Sequence, residues 1–448
     1  MSQPVDASRI PELQTVVSLA LQEARRLGAT QAEADASLQK GLNATVRLGE
    51  VETVEYQRDR GLGITVYFGH RKGSSSTADL RPAAVCETVA KACSIARYTA
   101  EDDCAGLADP QHLAHEFPDL KLDFDWPIEP EAAVEIAQRC EAAGRDVDPR
   151  LTNSEGATVS TSRGVRVYGN THGFLAGHCS SSHTLSCVLI AQVDDDMQRD
   201  YWYTTARDPA DLEDATRIGR LAGERAIARL GARRLPTQKA PVLFAPELAR
   251  GLVGSFVGAI RGGAQYRKTT FLLGAAGQQV FPAWVQMHER PFIEKALASG
   301  AWDSEGVRTR DRELVHDGVL DGYLLGSYSA RKLGLVTTGN AGGLHNLLVD
   351  PSPGAPDAGA LLRQMGRGLL VTELMGQGVN GVTGDYSRGA TGYWVEAGEL
   401  AYPVQEVTIA GNLKDMFRQV AAIGSDIDLR GGIRMGSMLI EEMTIAGE

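Results

Sequence analysis

At 448 residues the chain exceeds what one ordinary hydrophobic core holds, so two or three domains are expected. Its 43% hydrophobic and 23% charged content is that of a soluble globular protein, and no apolar run nears the roughly 20 residues of a membrane span. Forty-five Lys and Arg against 57 Asp and Glu leave a formal charge of −12 without long runs, which argues against nucleic-acid binding through a basic stripe.

The start, MSQPVDASRIPEL, has no basic segment followed by an apolar one, and the six cysteines form no CxxC pair. A cytoplasmic protein with reduced thiols is therefore expected. Pro11–Leu27 reads as an amphipathic helix closed by Gly28. From Gln31 to Ala78 the period changes to two, with glycines between the runs, as in a β-meander. Pro82 opens a helix to about Tyr98, and a polar, Asp-rich connection follows over Glu101–Asp125. The order then recurs: a helix at Pro130–Ala143, strands across Thr152–Thr205 and a helix at Pro209–Leu230. The reading is an α+β protein whose N-terminal α/β domain, 1–235, duplicates a helix–meander–helix pattern in halves of about 1–110 and 120–235.

A basic, proline-bracketed linker is expected over Gly231–Pro241, before a β-rich domain at 239–448. Of the 50 glycines, 17 fall in the first 238 residues and 33 in the remaining 210, as short strands and turns require. Pro246–Ile260 repeats Leu248, Leu252, Phe256 and Ile260 at helical spacing and carries Gly251, Gly254 and Gly258 on another side. Each glycine costs a helix about 1 kcal/mol against alanine, so close packing against another backbone is expected there. Arg310–Leu335 reads as a hairpin pair turning at Asp317-Gly318 and Asp321-Gly322, Lys414–Ile423 as a helix and Met438–Ile445 as a last strand.

Between the β-prone runs Leu369–Met375 and Tyr393–Val395, the seventeen residues Gly376–Gly392 include six glycines. Such a loop is entropically costly and is kept where backbone must adopt positive φ or another chain must approach. Inside it, Asp385-Tyr386-Ser387-Arg388 sets a carboxylate, phenol, hydroxyl and guanidinium side by side.

The richest metal-ligand stretch is His172, His178, Cys179, His183 and Cys187. It alternates like a strand, so His178 and His183, five apart, face opposite ways and cannot share one ion. His112, His115 and Glu116 lack a second i, i+4 histidine before Pro118, and the chain contains no H-E-x-x-H or H-E-x-x-x-H. G-x-S-x-G is absent as well. Ser327-Tyr-Ser329-Ala-Arg-Lys332 has a Ser…Lys spacing, placed in a strand-rich region without a residue to orient a base.

Met197–Tyr203 (MQRDYWY), Ala222–Arg233, Tyr266–Leu272, Asp303–Val307, Ser327–Gly334 (SYSARKLG), Thr337–Asn346 (TTGNAGGLHN) and Gly376–Trp394 together resemble the TldD/TldE (PmbA, "modulator of DNA gyrase") family, on its PmbA/TldE branch. The resemblance covers nearly the whole chain. It implies a cytoplasmic TldD–TldE heterodimer that acts as a zinc peptidase on unfolded polypeptides. In the TldD branch an H-E-x-x-x-H helix and a cysteine near the C-terminus hold the metal. The corresponding helix here is Pro246–Ile260, which offers Ala249, Arg250 and Gly254, and no cysteine follows Cys187.

The resemblance thus implies a non-catalytic subunit with no cofactor of its own, zinc being expected in a TldD-type partner; a homodimer is possible without that partner. Asp385, Tyr386, Ser387, Arg388, Asn340 and His345 are the candidates for lining a substrate path or facing the partner. Two alternatives stand beside this reading: an independent hydrolase using Asp385, Ser387 or His345, and a binding protein that modulates a topoisomerase.

Overall fold

The alternating segments of the N-terminal half become strands of 17 to 19 residues. In the computed structural model, which describes residues 5–447, β1 (Gln31–Arg47), β2 (Glu50–Phe68), β3 (Arg71–Thr77), β4 (Asn153–Asn170), β5 (Leu175–Val193) and β6 (Asp196–Ala206) form one antiparallel sheet. Its order is β3-β2-β1-β4-β5-β6, so the two meanders join edge to edge through β1 and β4 rather than forming separate sheets. At ~3.3 Å per residue a strand of this length spans roughly 60 Å, enough for two helix pairs placed end to end on one face. α1 (Ile10–Arg26) and α2 (Pro82–Tyr98) cover one end, burying Leu13, Val17, Val85 and Val89. α3 (Pro130–Arg145) and α4 (Ala215–Ala228) cover the other, over Leu42, Val159, Leu185 and Leu189.

Two sequence expectations shift here. The helix expected from Pro209 begins at Ala215, because Asp214 caps it by accepting from the Thr216 and Arg217 amides; Pro209–Asp211 is a single 3-10 turn under its own Asp208 cap. The expected linker is partly strand: β7 (Gln238–Phe244) starts inside it and Arg233 bridges to Val404.

The C-terminal part continues with α5 (Pro246–Ala259), α6 (Gly262–Tyr266), β8 (Met287–Glu289), β9 (Arg312–His316), β10 (Val319–Leu320), α7 (Ser327–Leu333), β11 (Leu347–Val349), α8 (Ala358–Met365), β12 (Gly368–Met375), β13 (Asp385–Glu396), β14 (Glu399–Asn412), α9 (Leu413–Arg418), β15 (Val420–Ile423), β16 (Ile433–Arg434) and β17 (Met438–Ala446). One sheet runs β10-β9-β8-β11-β16 and a second β14-β13-β12-β7-β17-β15. β14 also pairs with β17, which closes β7, β12, β13, β14 and β17 on themselves. α5 buries Leu252, Val253, Phe256 and Val257 in the core of this domain, where Phe256 meets Phe281 and Phe417 edge-on at 5.1 and 6.1 Å.

Local chemistry also redraws expectations in this domain. The turn at Asp317-Gly318 forms, with φ of 51° and 75°, but Ser327–Leu333 is a helix ended by left-handed Gly334, not half of a second hairpin. Lys414–Ile423 divides into α9 and β15, because Val420–Ile423 pairs with β17. The glycine-rich loop is shorter than expected, since β13 already begins at Asp385.

The glycines of α5 correct the sequence reading most sharply. Nothing lies within 4 Å of a Cβ built on Gly251, Gly254 or Gly258, so no backbone runs against that face. The close glycine contact is between α3 and α4, where a Cβ on Gly219 would sit 1.8 Å from the Cys140 carbonyl oxygen. Gly219→Ala is therefore expected to force these helices apart at a cost of about 1–3 kcal/mol. Gly254→Ala should be neutral or stabilising by up to about 1 kcal/mol. Urea midpoints of the two variants check the pair, and the reverse order would refute the placement of the close contact.

Candidate functional site

The first turn of α5 lies where β6 of the N-terminal sheet meets the C-terminal domain, and it is ringed by charge. Along β6 the period of two sends Tyr201 and Tyr203 to one side, stacked with centroids 6.3 Å apart. Tyr203 accepts from the Arg250 guanidinium at 2.7 Å through its hydroxyl and from Arg430 at 3.0 Å through its carbonyl. Asp428 pairs with both arginines, at 3.3 Å to Arg250 and 2.9 Å to Arg430. Burial would raise the Asp428 carboxyl, but the bonds from Arg430 outweigh it and hold the group below the usual carboxylate range. Arg225, at the end of α4, bridges Asp200 at 3.0 Å and Glu247 of α5 at 3.4 Å, and Arg229 holds Glu373 at 2.5 Å. Arg430 and Arg225 both lie over the Trp202 ring, 4.2 and 5.0 Å from it.

This arrangement bears on the helix where the family resemblance looks for metal ligands. Ala249 is fully buried, Arg250 is a bound cation and Gly254 has no side chain to offer. Each nearby carboxylate is engaged by a guanidinium, and a dication placed among four arginines would be repelled. Among the described residues no group of three or more His, Cys, Asp or Glu side chains is placed to hold a metal ion. The residues present do not fit a zinc centre.

A second locus lies between the domains. The connection 101–125 is a strap, not a free linker. Asp102 receives the Tyr328 hydroxyl at 2.6 Å and the Lys332 ammonium at 2.8 Å, while Arg331 donates to the carbonyls of Cys104, Gly106 and Leu107. In α7 it is Tyr328, Arg331 and Lys332 that dock the strap, while the Ser329 hydroxyl donates to the Gly326 carbonyl. Farther along the strap, a cavity of about 900 Å³ opens between Pro118–Phe124, the outer face of β4 and β5, and the loops Leu297–Ser304 and Ala341–His345. His178 points into it against Trp302, 5.4 Å between centroids, whereas His183 faces the helices and contacts Thr161 and the Phe124 carbonyl. The opposite orientation expected for these two histidines is what the strand produces. Burial, with Arg166 and Arg207 nearby, lowers His178 to about 4, so its imidazole is neutral.

Asp303 lines the same cavity and accepts backbone N–H bonds from Glu305, Val307 and Ala341. Burial, with Glu305 adding to it, pushes its carboxyl up to about 7 against those three amides. Close by, half-buried Glu33 accepts from Tyr67 and Tyr168 at 3.1 and 2.8 Å. Sequence reasoning quoted Asp303, Glu305 and Tyr203 only within family motifs and Arg250 only as a position on the metal-helix equivalent; it passed over Glu33 and Arg430, whose partners lie far along the chain.

The residues singled out from sequence do not converge on one point. On β13 Asp385 and Ser387 are exposed, Tyr386 is buried with its hydroxyl unpartnered, and Arg388 is half-buried. They alternate across a strand and do not form a four-group tip. Asp385 is held by the Thr383 hydroxyl at 2.6 Å and by Asn412 at 3.1 Å. The loop packs back on this strand, and Gly378 is required there because a Cβ would meet the Ser387 carbonyl oxygen at 1.5 Å. Asn340 is buried and donates to Glu289 at 2.7 Å; His345 donates its backbone N–H to the same carboxylate at 2.8 Å and lines the interdomain cavity. No described hydrogen bond joins Asp385 or Ser387 to His345, so these three candidates of the hydrolase alternative stand apart.

Comparison with known proteins accounts for nearly all of the chain. Residues 32–96, 124–230 and 237–447 match, in turn, the PmbA/TldA metallopeptidase domain 1, central domain and C-terminal domain. Metalloprotease PmbA of Escherichia coli O157:H7 is 51% identical over 93% of this chain and 92% of its own length. The PmbA homologue of Haemophilus influenzae is 47% identical over 97% and 96%. Among solved structures, a modulator of DNA gyrase from Bacteroides thetaiotaomicron aligns with a TM-score of 0.92 at 25% identity, covering 98% of this chain and all of that one. TldE of Thermococcus kodakarensis shares the fold with a TM-score of 0.84 at 19% identity, covering 96% of this chain and all of that one.

The ion-pair cluster makes a pH-resolved prediction. Asp428→Asn leaves two guanidiniums short of a counter-charge and should cost about 3 kcal/mol at pH 7. Because the folded-state pKa of Asp428 is depressed, its contribution is present above the unfolded value of 3.8 and is lost as pH falls through the folded one. The gap in urea midpoint between parent and variant should therefore be constant from pH 8 to about 5 and shrink below about pH 4. A gap that widens on acidification would contradict the assignment.

Proposed function

The chain belongs to the PmbA/TldD metallopeptidase family, and we propose that within it this protein is the TldE-like, non-catalytic subunit of a two-chain cytoplasmic peptidase acting on unfolded polypeptides. The observation that carries the reading is Arg250: where the resemblance puts metal ligands, α5 presents a guanidinium bound to Tyr203 and Asp428. A hydrolytic zinc centre needs about three protein ligands and an open position for water. Zinc then belongs to a TldD-type partner, and this chain completes the chamber.

Two further features support that role. The glycine face of α5 is uncovered, so a partner or an extended peptide can come close to its backbone. The strand-rich domain offers main-chain groups to an extended peptide, a mode of binding that gives affinity with little sequence preference. Asp385 and Ser387 lie on the exposed side of β13 and are available to such a ligand.

The test compares cleavage of an unfolded polypeptide by this chain alone, by a TldD-type subunit alone and by the mixture. No turnover is expected from this chain by itself, and turnover that chelation abolishes is expected from the mixture. Asp385→Ala with Arg388→Ala should lower turnover of the mixture at least several-fold and leave the melting temperature of this subunit nearly unchanged. Chelator-sensitive cleavage by this chain alone would refute the reading.

A further inference from the structure

Tyr386 and Arg388 stand two residues apart on β13, so the period of two turns both side chains to one face, the face of buried Ala390. The phenol is 2% exposed and its hydroxyl meets no partner. Arg388 is half-buried, and its Nε is enclosed without an acceptor. Burial pushes the phenol up to about 12 while Arg388 pulls the other way. The guanidinium is therefore near enough to act on the phenol, which keeps its proton at neutral pH. A buried donor without an acceptor destabilises the fold that holds it, and native proteins keep few of them.

No internal anion fills the gap. Asp385 is the nearest carboxylate along the strand, but three residues from Arg388 it faces the other way, and Thr383 and Asn412 hold it. The four arginines around α5 each have a carboxylate, whereas among the described residues none pairs with Arg388. The backbone around the pair is fixed in advance. Ser387 donates its N–H to the Gly378 carbonyl, Asn380 donates to the Asp385 carbonyl, and Val379 bridges to Tyr386.

Two donors that lack an acceptor define the ligand. A phenol O–H beside a guanidinium calls for an anionic oxygen, and the planar fork of arginine matches the two oxygens of a carboxylate. We propose that Arg388 and Tyr386 form a site for a carboxylate of an extended peptide, carried by its C-terminus or by an Asp or Glu side chain. The proposal rests on the reading of this chain as a peptide-holding subunit. It gives that subunit a way to set the register of a peptide, which main-chain pairing alone leaves open.

Calorimetric titration of the full chain, without a partner, tests it with three peptides: N-acetyl-trialanine, its C-terminal amide, and N-acetyl-Ala-Glu-Ala amide. At least one carboxylate-bearing peptide should bind about tenfold or more tightly than the trialanine amide. Tighter binding of the first assigns the site to chain ends, and of the third to acidic side chains. Arg388→Gln should abolish the preference. Arg388→Lys, a point charge without the fork, should keep only part of it. Tyr386→Phe should weaken binding about threefold, yet keep or raise the urea midpoint, because it removes a hydroxyl with no partner. Urea unfolding of every variant shows that the fold is kept. Absence of binding, equal binding of all three peptides, or a preference that survives Arg388→Gln overturns the proposal. Inorganic phosphate bound more tightly than either carboxylate also overturns it. Because this chain is titrated alone, such a failure leaves the non-catalytic reading standing, and cleavage by this chain alone would leave the carboxylate site standing.

Discussion

Around α5, four carboxylates and four guanidiniums come from separate parts of the chain: Asp200 on β6, Arg225 and Arg229 at the end of α4, Glu247 and Arg250 on α5, Glu373 on β12, and Asp428 with Arg430 before β16. Buried charges are tolerated only when each has its counter-charge and its hydrogen bonds, and losing one partner typically costs about 3–5 kcal/mol. That constraint ties the N-terminal sheet to the closed strands of the C-terminal domain and fixes α5 between them. It also consumes the donor groups there. A metal at this position would have to take Asp428 or Glu247 from its arginine and would leave cations beside the ion.

The second tie between the domains is of a different kind. The strap at 101–125 leaves the N-terminal sheet, is gripped by Tyr328, Arg331 and Lys332 of α7, and returns when the Ser181 amide donates to the Leu122 carbonyl. Arg331 does this by filling three backbone carbonyls that a connection without regular structure would otherwise leave to water. The interdomain cavity lies beneath this strap. Its neutral His178 and its Asp303, which accepts three backbone amides, can orient a ligand through hydrogen bonds.

Local pattern carried most of the N-terminal half into view. The period-two runs became β1 to β6 and the proline-opened helices appeared where Pro82 and Pro130 stand, because burial on one face dictates both signals. The family was legible from motifs spread along the chain. What sequence could not reveal was partnership at a distance. Glycines in α5 looked like a packing face, yet the close approach belongs to Gly219 against Cys140, and both cases read alike without the neighbouring helix. Asp385–Arg388 looked like one polar tip because the strand around it begins eight residues before its apolar core at Tyr393, and a strand separates consecutive side chains. Ser327–Lys332 showed only a Ser…Lys spacing in a stretch read as strand-rich, and the acceptor of its lysine, Asp102, lies more than two hundred residues away.

Zinc binding measures most directly whether Arg250 and its neighbours stand in place of a metal site. Isothermal titration of the purified chain with zinc, followed by metal analysis after gel filtration, should show no stoichiometric uptake, and addition of chelator should leave its melting temperature unchanged. One zinc retained per chain, with a melting temperature that falls when the metal is withdrawn, would contradict it.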